Sequence, residues 1–184
     1  MTMGQLLLIV IIVFLLVYLV SVYNKCISYR NYVREAFATM DVYLKKRWDL
    51  VPNLIELVNK YSQYEKGILK ELTEIRTRDY QGLSAEDKIS TNMVLGQTLT
   101  KFVAVAENYP DLKANQTYTT LMQQMENVEN DIANARKYYN GTVRELNTLL
   151  DVFPTNVLGE LFGFKREKLF IAEENERVNI KVDL

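Results

Sequence analysis

Glu126, Glu129 and Asp131 lie within two turns of one another on a predicted helix, an example of the many carboxylates this chain carries on outward helix faces. Paired carboxylates move protons when their surroundings drive their pKa values apart. Here all three flank an apolar seam and share one surrounding, that of a solvated helix face. The 184 residues include no histidine. That removes the commonest general base, the usual zinc ligand and every Ser-His or Cys-His nucleophile pair. A four-helix di-metal site needs Glu-x-x-His repeats and cannot be built. The single cysteine, Cys26, leaves no internal disulfide, as suits a reducing compartment. No phosphate-binding glycine loop and no nucleophile elbow occur. The expectation is a chain with no catalytic residue, no cofactor and no metal, and therefore not an enzyme.

Two polar groupings beside apolar stripes could carry structural work instead. Asp41, Arg47, Asp49 and Asn53 border the stripe of one predicted helix, and Arg136, Asn140 and Asn147 border that of another. They are either ordinary boundary residues or an interhelical polar network. Buried Arg and Asn in a bundle fix register through what they would cost unpaired. On the second view, Arg47 and Arg136 are at least partly buried and paired across helices.

The elements that must position these residues begin with an apolar run. Leu6 to Tyr23 is uncharged and almost wholly apolar, and a helix of that length rises about 27 Å, enough to cross the hydrocarbon core of a bilayer. No charged side chain precedes it, whereas Lys25, Arg30, Arg34, Lys45, Lys46 and Arg47 follow. The positive-inside rule then sets the N-terminus outside and the rest in the cytosol. A cleaved signal fits poorly, because the n-region lacks basic side chains and Ser-Val-Tyr-Asn-Lys offers no small-residue cleavage step. Tyr23-Asn24-Lys25 before Cys26 is likewise no lipidation motif. Cys26 reads as a small residue at the lipid boundary, and Tyr18, Tyr23, Tyr29 and Tyr32 as interfacial aromatics. The expected division is a short outer N-terminus (1–5), a transmembrane helix (6–23), a cytosolic helical domain (24–168) and an extended tail (169–184). With 22 basic and 23 acidic residues, no broad field draws nucleic acid.

Past Asn24 the apolar spacing becomes helical. Val33, Phe37, Met40, Leu44, Trp48, Val51, Ile55, Val58 and Tyr61 step by three or four, and Ile68, Leu72 and Ile75 extend the stripe. Pro52 predicts a kink, or a restart capped by Asp49. A second helix is expected from Ser84, its N-cap, with the face Met93, Leu95, Leu99, Phe102, Val103 and Ala106, ending at Tyr109-Pro110-Asp111. A third is expected from Asn115 to Phe153, stopped by Pro154. Its seam is Leu121, Met125, Val128, Ile132, Ala135, Tyr139, Val143, Leu146, Leu150 and Phe153, with a stutter at Tyr139 next to Gly141. Tyr138 and Tyr139 are expected to complete the packing. Asn115 and Asn140 begin glycosylation sequons that a cytosolic domain would not use. The tail Val178-Asn-Ile-Lys-Val182 alternates like a strand. The fold class is all-α: a transmembrane helix continuous with a long-helix cytosolic bundle of three or four helices, then a short tail.

Several of these stretches resemble the LemA family of bacterial membrane proteins. They are Asn31 through Tyr61, with Asp41-Val-Tyr-Leu-Lys-Lys-Arg47 and Asp49-Leu-Val-Pro-Asn-Leu54; Tyr109-Pro-Asp-Leu-Lys-Ala-Asn115; Glu129-x-x-Ile-Ala-x-Ala-Arg136-x-x-Tyr-Asn140; Asn147 through Pro154; and Gly163-Phe164. Their order along nearly the whole chain is similar to the family's. Tyr43 replaces a usual Gln and Leu146 a frequent Tyr, both changes of packing or surface. The resemblance implies a single-pass protein of the bacterial inner membrane, N-terminus out, with a helical cytosolic domain and no established enzymatic activity. It also implies frequent encoding near membrane zinc metalloproteases of the HtpX type.

The expected function is a membrane-anchored helical scaffold that self-associates. Helix one exceeds what helix two can cover, which leaves Phe37, Met40, Leu44 and Trp48 as a contact between copies. The alternative is an adaptor for a membrane metalloprotease that uses the tail as a recognition strand. Leu161, Phe162 and Phe164, followed by Lys165, Arg166 and Lys168, invite an interfacial membrane contact. The predicted helix order opposes it, because Pro154 would then end far from the bilayer and the segment would dock on protein.

Overall fold

The computed structural model describes residues 2–60 and 66–170, and every regular element within them is helical. The alternating stretch Val178–Val182 lies outside the described residues. The chain divides into two compact units: Met1–Phe37 with Lys137–Leu184, and Ala38–Arg136.

Helix α1, Met3–Asn59, is 57 residues long and runs unbroken through Pro52. Nothing between Gly4 and Pro52 disfavours helix. Ser21 and Ser28 turn their hydroxyls back to the carbonyls of Val17 and Asn24, as helix-interior serines do. Pro52 deprives the Trp48 carbonyl of its helical partner, yet the helix does not restart. Asp49 is therefore not a cap; it lies inside α1 and pairs with Lys45 one turn earlier. The stripe does not extend to Ile75 along the same helix either. Ile68, Leu72 and Ile75 belong to a separate helix α2, Lys66–Arg76.

Helix α3, Ala85–Ala106, starts where the sequence places it. The Ser84 hydroxyl accepts the Asp87 backbone N–H at 3.2 Å, with Glu86 and Asp87 in the first turn. Its buried face is Thr91, Asn92, Leu95, Thr98, Leu99, Phe102 and Ala106. Met93 is only half-buried and Val103 is exposed, so the expected face was rotated toward the apolar residues and missed the threonines. Helix α2 packs on α3, and Thr98 donates to Glu71 at 2.8 Å. After α3, Pro110 opens a single turn, α4, Pro110–Lys113.

Helix α5, Gln116–Asp151, spans 36 residues. The Asn115 carboxamide caps it by accepting the N–H groups of Thr117 and Tyr118 at 2.8 and 3.1 Å. The seam from Leu121 to Leu146 is buried and passes Tyr139 and Gly141 without a break. Three expectations fail at the edges. Tyr138 is exposed, Phe153 lies beyond the helix and is 83% exposed, and Leu149 is buried in the place given to Leu150, which is only half-buried. Helix α6, Thr155–Leu161, ends at Gly163, whose φ of 74° is one that L side chains rarely adopt.

In the first unit, α1 and α5 run antiparallel. Phe37 meets Tyr139 edge-to-face at 6.0 Å, and Val22 and Cys26 form a buried cluster with Leu149, flanked by Tyr29, Leu150, Leu158 and Phe164. The end of α5 thus lies beside the exit of the apolar run. The predicted order, with Pro154 far from that exit, is overturned. The reason is that the buried faces of α1 and α5 pair in opposite directions, so α5 runs back along α1 toward that exit. In the second unit, Met40, Leu44 and Trp48 are at most 1% exposed. Together with Phe37, half-buried on Tyr139, they are spent on the chain's own packing. The stripe proposed as a contact between copies is core.

Candidate functional site

Arg47 is at the centre of the second unit's polar grouping. Its side chain is 4% exposed and its guanidinium reaches two helices. Nη1 donates to both carboxylate oxygens of Glu129 on α5, at 2.7 and 2.9 Å. Nη2 donates to the Asn92 backbone carbonyl at 2.6 Å and to its side-chain oxygen at 3.2 Å on α3. One planar fork therefore ties α1, α3 and α5 in a single register. Gly96 makes the space, since a Cβ there would stand 3.3 Å from Nη1.

The network continues outward. The Asn92 amide donates to the Lys88 carbonyl at 3.0 Å and faces the Tyr80 hydroxyl at 3.5 Å. Tyr80 donates to one oxygen of Asp41 at 2.8 Å, and Lys88 donates to the other at 2.7 Å. The Tyr80 ring tilts on Trp48 at 5.2 Å, and the Arg76 guanidinium lies 5.4 Å from the Trp48 ring centre. Burial pushes the Tyr80 hydroxyl pKa far up, and the hydrogen bond to Asp41 and its charge add to the shift. A phenol held neutral as a donor to a carboxylate is a structural tie.

Of the residues singled out in sequence, Asp41 and Arg47 share this network. Asp49 and Asn53 do not: Asp49 pairs within its own helix and Asn53 is exposed. Glu129, read as a solvated carboxylate, is half-exposed and carries the Arg47 pair. Tyr80, Lys88 and Asn92 went unread. Asn92 sits on the buried face of α3, one turn before Leu95 and two before Leu99, a signal that was available; Tyr80 lies in a loop and gave none.

Asn140 and Asn147 form a second arrangement in the other unit, and it is not interhelical. Asn140 exchanges two hydrogen bonds with the Phe170 backbone, both 2.8 Å. Asn147 does the same with Glu167, at 2.9 and 3.0 Å. Tyr139 adds a bond to the Lys168 carbonyl at 3.0 Å. Each carboxamide thus pairs with a backbone as a neighbouring strand would. The spacing explains the fit, because two turns of helix rise about 10.8 Å and three residues of extended chain about 10 Å. Residues 164–170 form a strap held along α5 without secondary structure of their own. Arg136 is partly buried on α5 and belongs to the other unit. Of the C-terminal residues, Leu161 is exposed, while Phe162 and Phe164 pack edge-on against Tyr23 at 5.3 and 5.9 Å.

Among the described residues, no cluster of three or more Cys, Asp or Glu side chains could hold a metal ion. Both arrangements fix helices or chain, and neither presents a nucleophile to a cleft. A long helix with a bare apolar N-terminal run and, in the other unit, a buried Arg fork are the setting in which the sequence comparisons gain meaning. The chain matches the LemA family over residues 36–184 and belongs to that family. It is similar to two magnetosome proteins MamQ of Paramagnetospirillum magneticum, each 22% identical over 80% of this chain and 64% of the relative. Protein LemA of Metamycoplasma hominis is 24% identical over 85% of this chain and 72% of its own length. The chain therefore spans less than two thirds of the length of the MamQ relatives.

Proposed function

We propose that this protein is a membrane-anchored, non-enzymatic helical scaffold, with its N-terminus outside and its helical units in the cytosol. The observation that carries the reading is the change of state along α1. From Met3 to Val17 every side chain is exposed and almost all are apolar, whereas from Val22 onward the apolar stripe is buried by other helices. An exposed apolar run of that length is stable only in a bilayer or against protein. The basic residues that follow it support the cytosolic side for the rest of the chain.

Self-association along Met40, Leu44 and Trp48 is withdrawn from the proposal, because those residues are unavailable without unfolding. Contact between copies, or with a membrane metalloprotease, becomes an outcome of the test. Intact cells expressing full-length Thr2→Cys or Lys137→Cys are treated with a membrane-impermeant maleimide. The reading expects labelling of residue 2 in whole cells, labelling of residue 137 only after permeabilisation, and retention of the protein in membranes washed with alkaline carbonate. Release by carbonate would end the anchor reading, and the reverse labelling pattern would invert the topology. Crosslinking in the same membranes then separates a ladder of this chain, meaning self-association, from a single heterologous band, meaning an adaptor.

A further inference from the structure

We infer that the α5–α6 corner is a second membrane contact: Val152, Phe153, Val157 and Leu161 enter the acyl-chain boundary of the leaflet that α1 leaves. The inference rests on the anchor reading above and concerns surface that reading does not use. Helix α6 has two apolar faces. Thr155 and Gly159 are buried and Leu158 partly so, packed toward the end of α5 and α1, while Val157 and Leu161 on the opposite face are 57% and 75% exposed. Phe153, in the turn before it, is 83% exposed and Val152 is 47% exposed. A short helix in water would present polar residues there.

The register gives the depth. Tyr139 meets Phe37, and Leu149 lies with Val22 and Cys26, so the two helices match nearly residue for residue in opposite directions. Phe153 stands in the turn directly after α5, two residues past its last residue, Asp151. With Leu149 on Val22 and Cys26, that sets it near the level of Val22, at the end of the Leu6–Tyr23 run. Tyr23, Phe162 and Phe164 cluster edge-to-face at the same level, and the Arg30 guanidinium lies 5.2 Å from the Phe164 ring centre. Aromatic rings backed by cations are the chemistry of a membrane–water boundary. The corner's charge is close to balanced, with Arg166 paired to Asp151 and Glu160 and Glu167 beside Lys165 and Lys168. Insertion should therefore come from apolar contact and need no anionic lipid.

Full-length protein carrying Phe153→Cys, Leu161→Cys, Leu8→Cys or Lys137→Cys, labelled with an environment-sensitive dye in phosphatidylcholine vesicles, tests this. The native Cys26 is fully buried with its thiol pKa raised, mainly by that burial, so it stays unlabelled. Nitroxides on the acyl chains should quench labels at 153 and 161 by more than half, unchanged in high salt. Leu8 should quench as strongly and Lys137 not at all. Quenching at Leu8 without quenching at 153 and 161 overturns the corner contact and leaves the anchor standing. A blue shift at 153 and 161 without lipid quenching also overturns it and assigns the corner to another protein. If Leu8 itself is unquenched, the anchor reading falls and the corner contact falls with it.

Discussion

The two units solve the same problem, holding chain in place with polar groups, by different chemistry. Around Arg47 a buried charge is joined to a half-exposed carboxylate and to a buried Asn, backbone and side chain, across three helices. Along the strap they are neutral carboxamides at the surface of α5, each pairing with a backbone. The charged network is costly to break, because removing one member leaves others in low dielectric without partners. The amide clamps are individually cheap, because water can replace them on an exposed face. The first arrangement fixes a register. The second holds a segment that has no ladder of its own.

The sharpest way to break this contrast is Arg47→Ala. Loss of a buried fork that serves both Glu129 and Asn92 is expected to cost about 3 kcal/mol, since rehydration of the half-exposed Glu129 offsets part of the full penalty. Denaturant unfolding of the full chain in detergent should show it, and an unchanged midpoint would return Arg47 to the role of a surface residue. Arg47→Lys should recover only a fraction, because an ammonium cannot bridge both partners in plane.

Asn140→Ala with Asn147→Ala is expected to cost about 2 kcal/mol in total, at roughly 1 kcal/mol per clamp. The more telling effect is local: backbone amides of Glu167 and Phe170, protected in the parent, should exchange freely while α5 stays protected. Loss of protection throughout α5 would mean that the strap is integral to the helix packing and not a surface attachment.

Tyr80→Phe should cost about 1 kcal/mol, mainly the bond to Asp41. Because the folded pKa lies above its ordinary value of 10.0, the stabilisation is complete below pH 10 and is lost as pH rises beyond it. The parent's excess stability over Tyr80→Phe should therefore shrink as pH rises above 10, and an excess unchanged there would show that the Tyr80 hydroxyl contributes nothing to the fold.

The smallest effect carries a sign that tests the network directly. Gly96→Ala gains about 1 kcal/mol of helix propensity but sets a methyl 3.3 Å from the Arg47 Nη1. With the guanidinium pinned on both sides, the parent should be neutral or slightly destabilised. In the Arg47→Ala background the same change should stabilise by roughly 1 kcal/mol. Equal effects in both backgrounds would show that the fork has room to move.

Much of the molecule is legible in its sequence, for reasons local to each element. The run Leu6–Tyr23, the spacing across Val33 to Val58, the Ser84 cap and the Leu121–Leu146 seam each depend on residues a turn or two apart. Periodicity and capping therefore announce them. Arg47 and Asn140 were also marked, since polar residues at the edge of a stripe are costly unless something meets them. Their partners were not. Glu129 and Asn92 are far from Arg47 in sequence, and the Glu167 and Phe170 backbones carry no side-chain signal.

What tertiary structure alone decided is the direction of α5 against α1. Each helix could be written from its own apolar period, but that period is the same whether the neighbour runs parallel or antiparallel. Only the pairing of Phe37 with Tyr139, and of Val22 and Cys26 with Leu149, fixes the choice. That choice buries the stripe once assigned to self-association. It also brings Phe153 and Leu161 to the level where α1 leaves its apolar run. Sequence determined which surfaces are apolar, because hydropathy belongs to single residues. Which of them are covered was set by packing, because burial belongs to pairs.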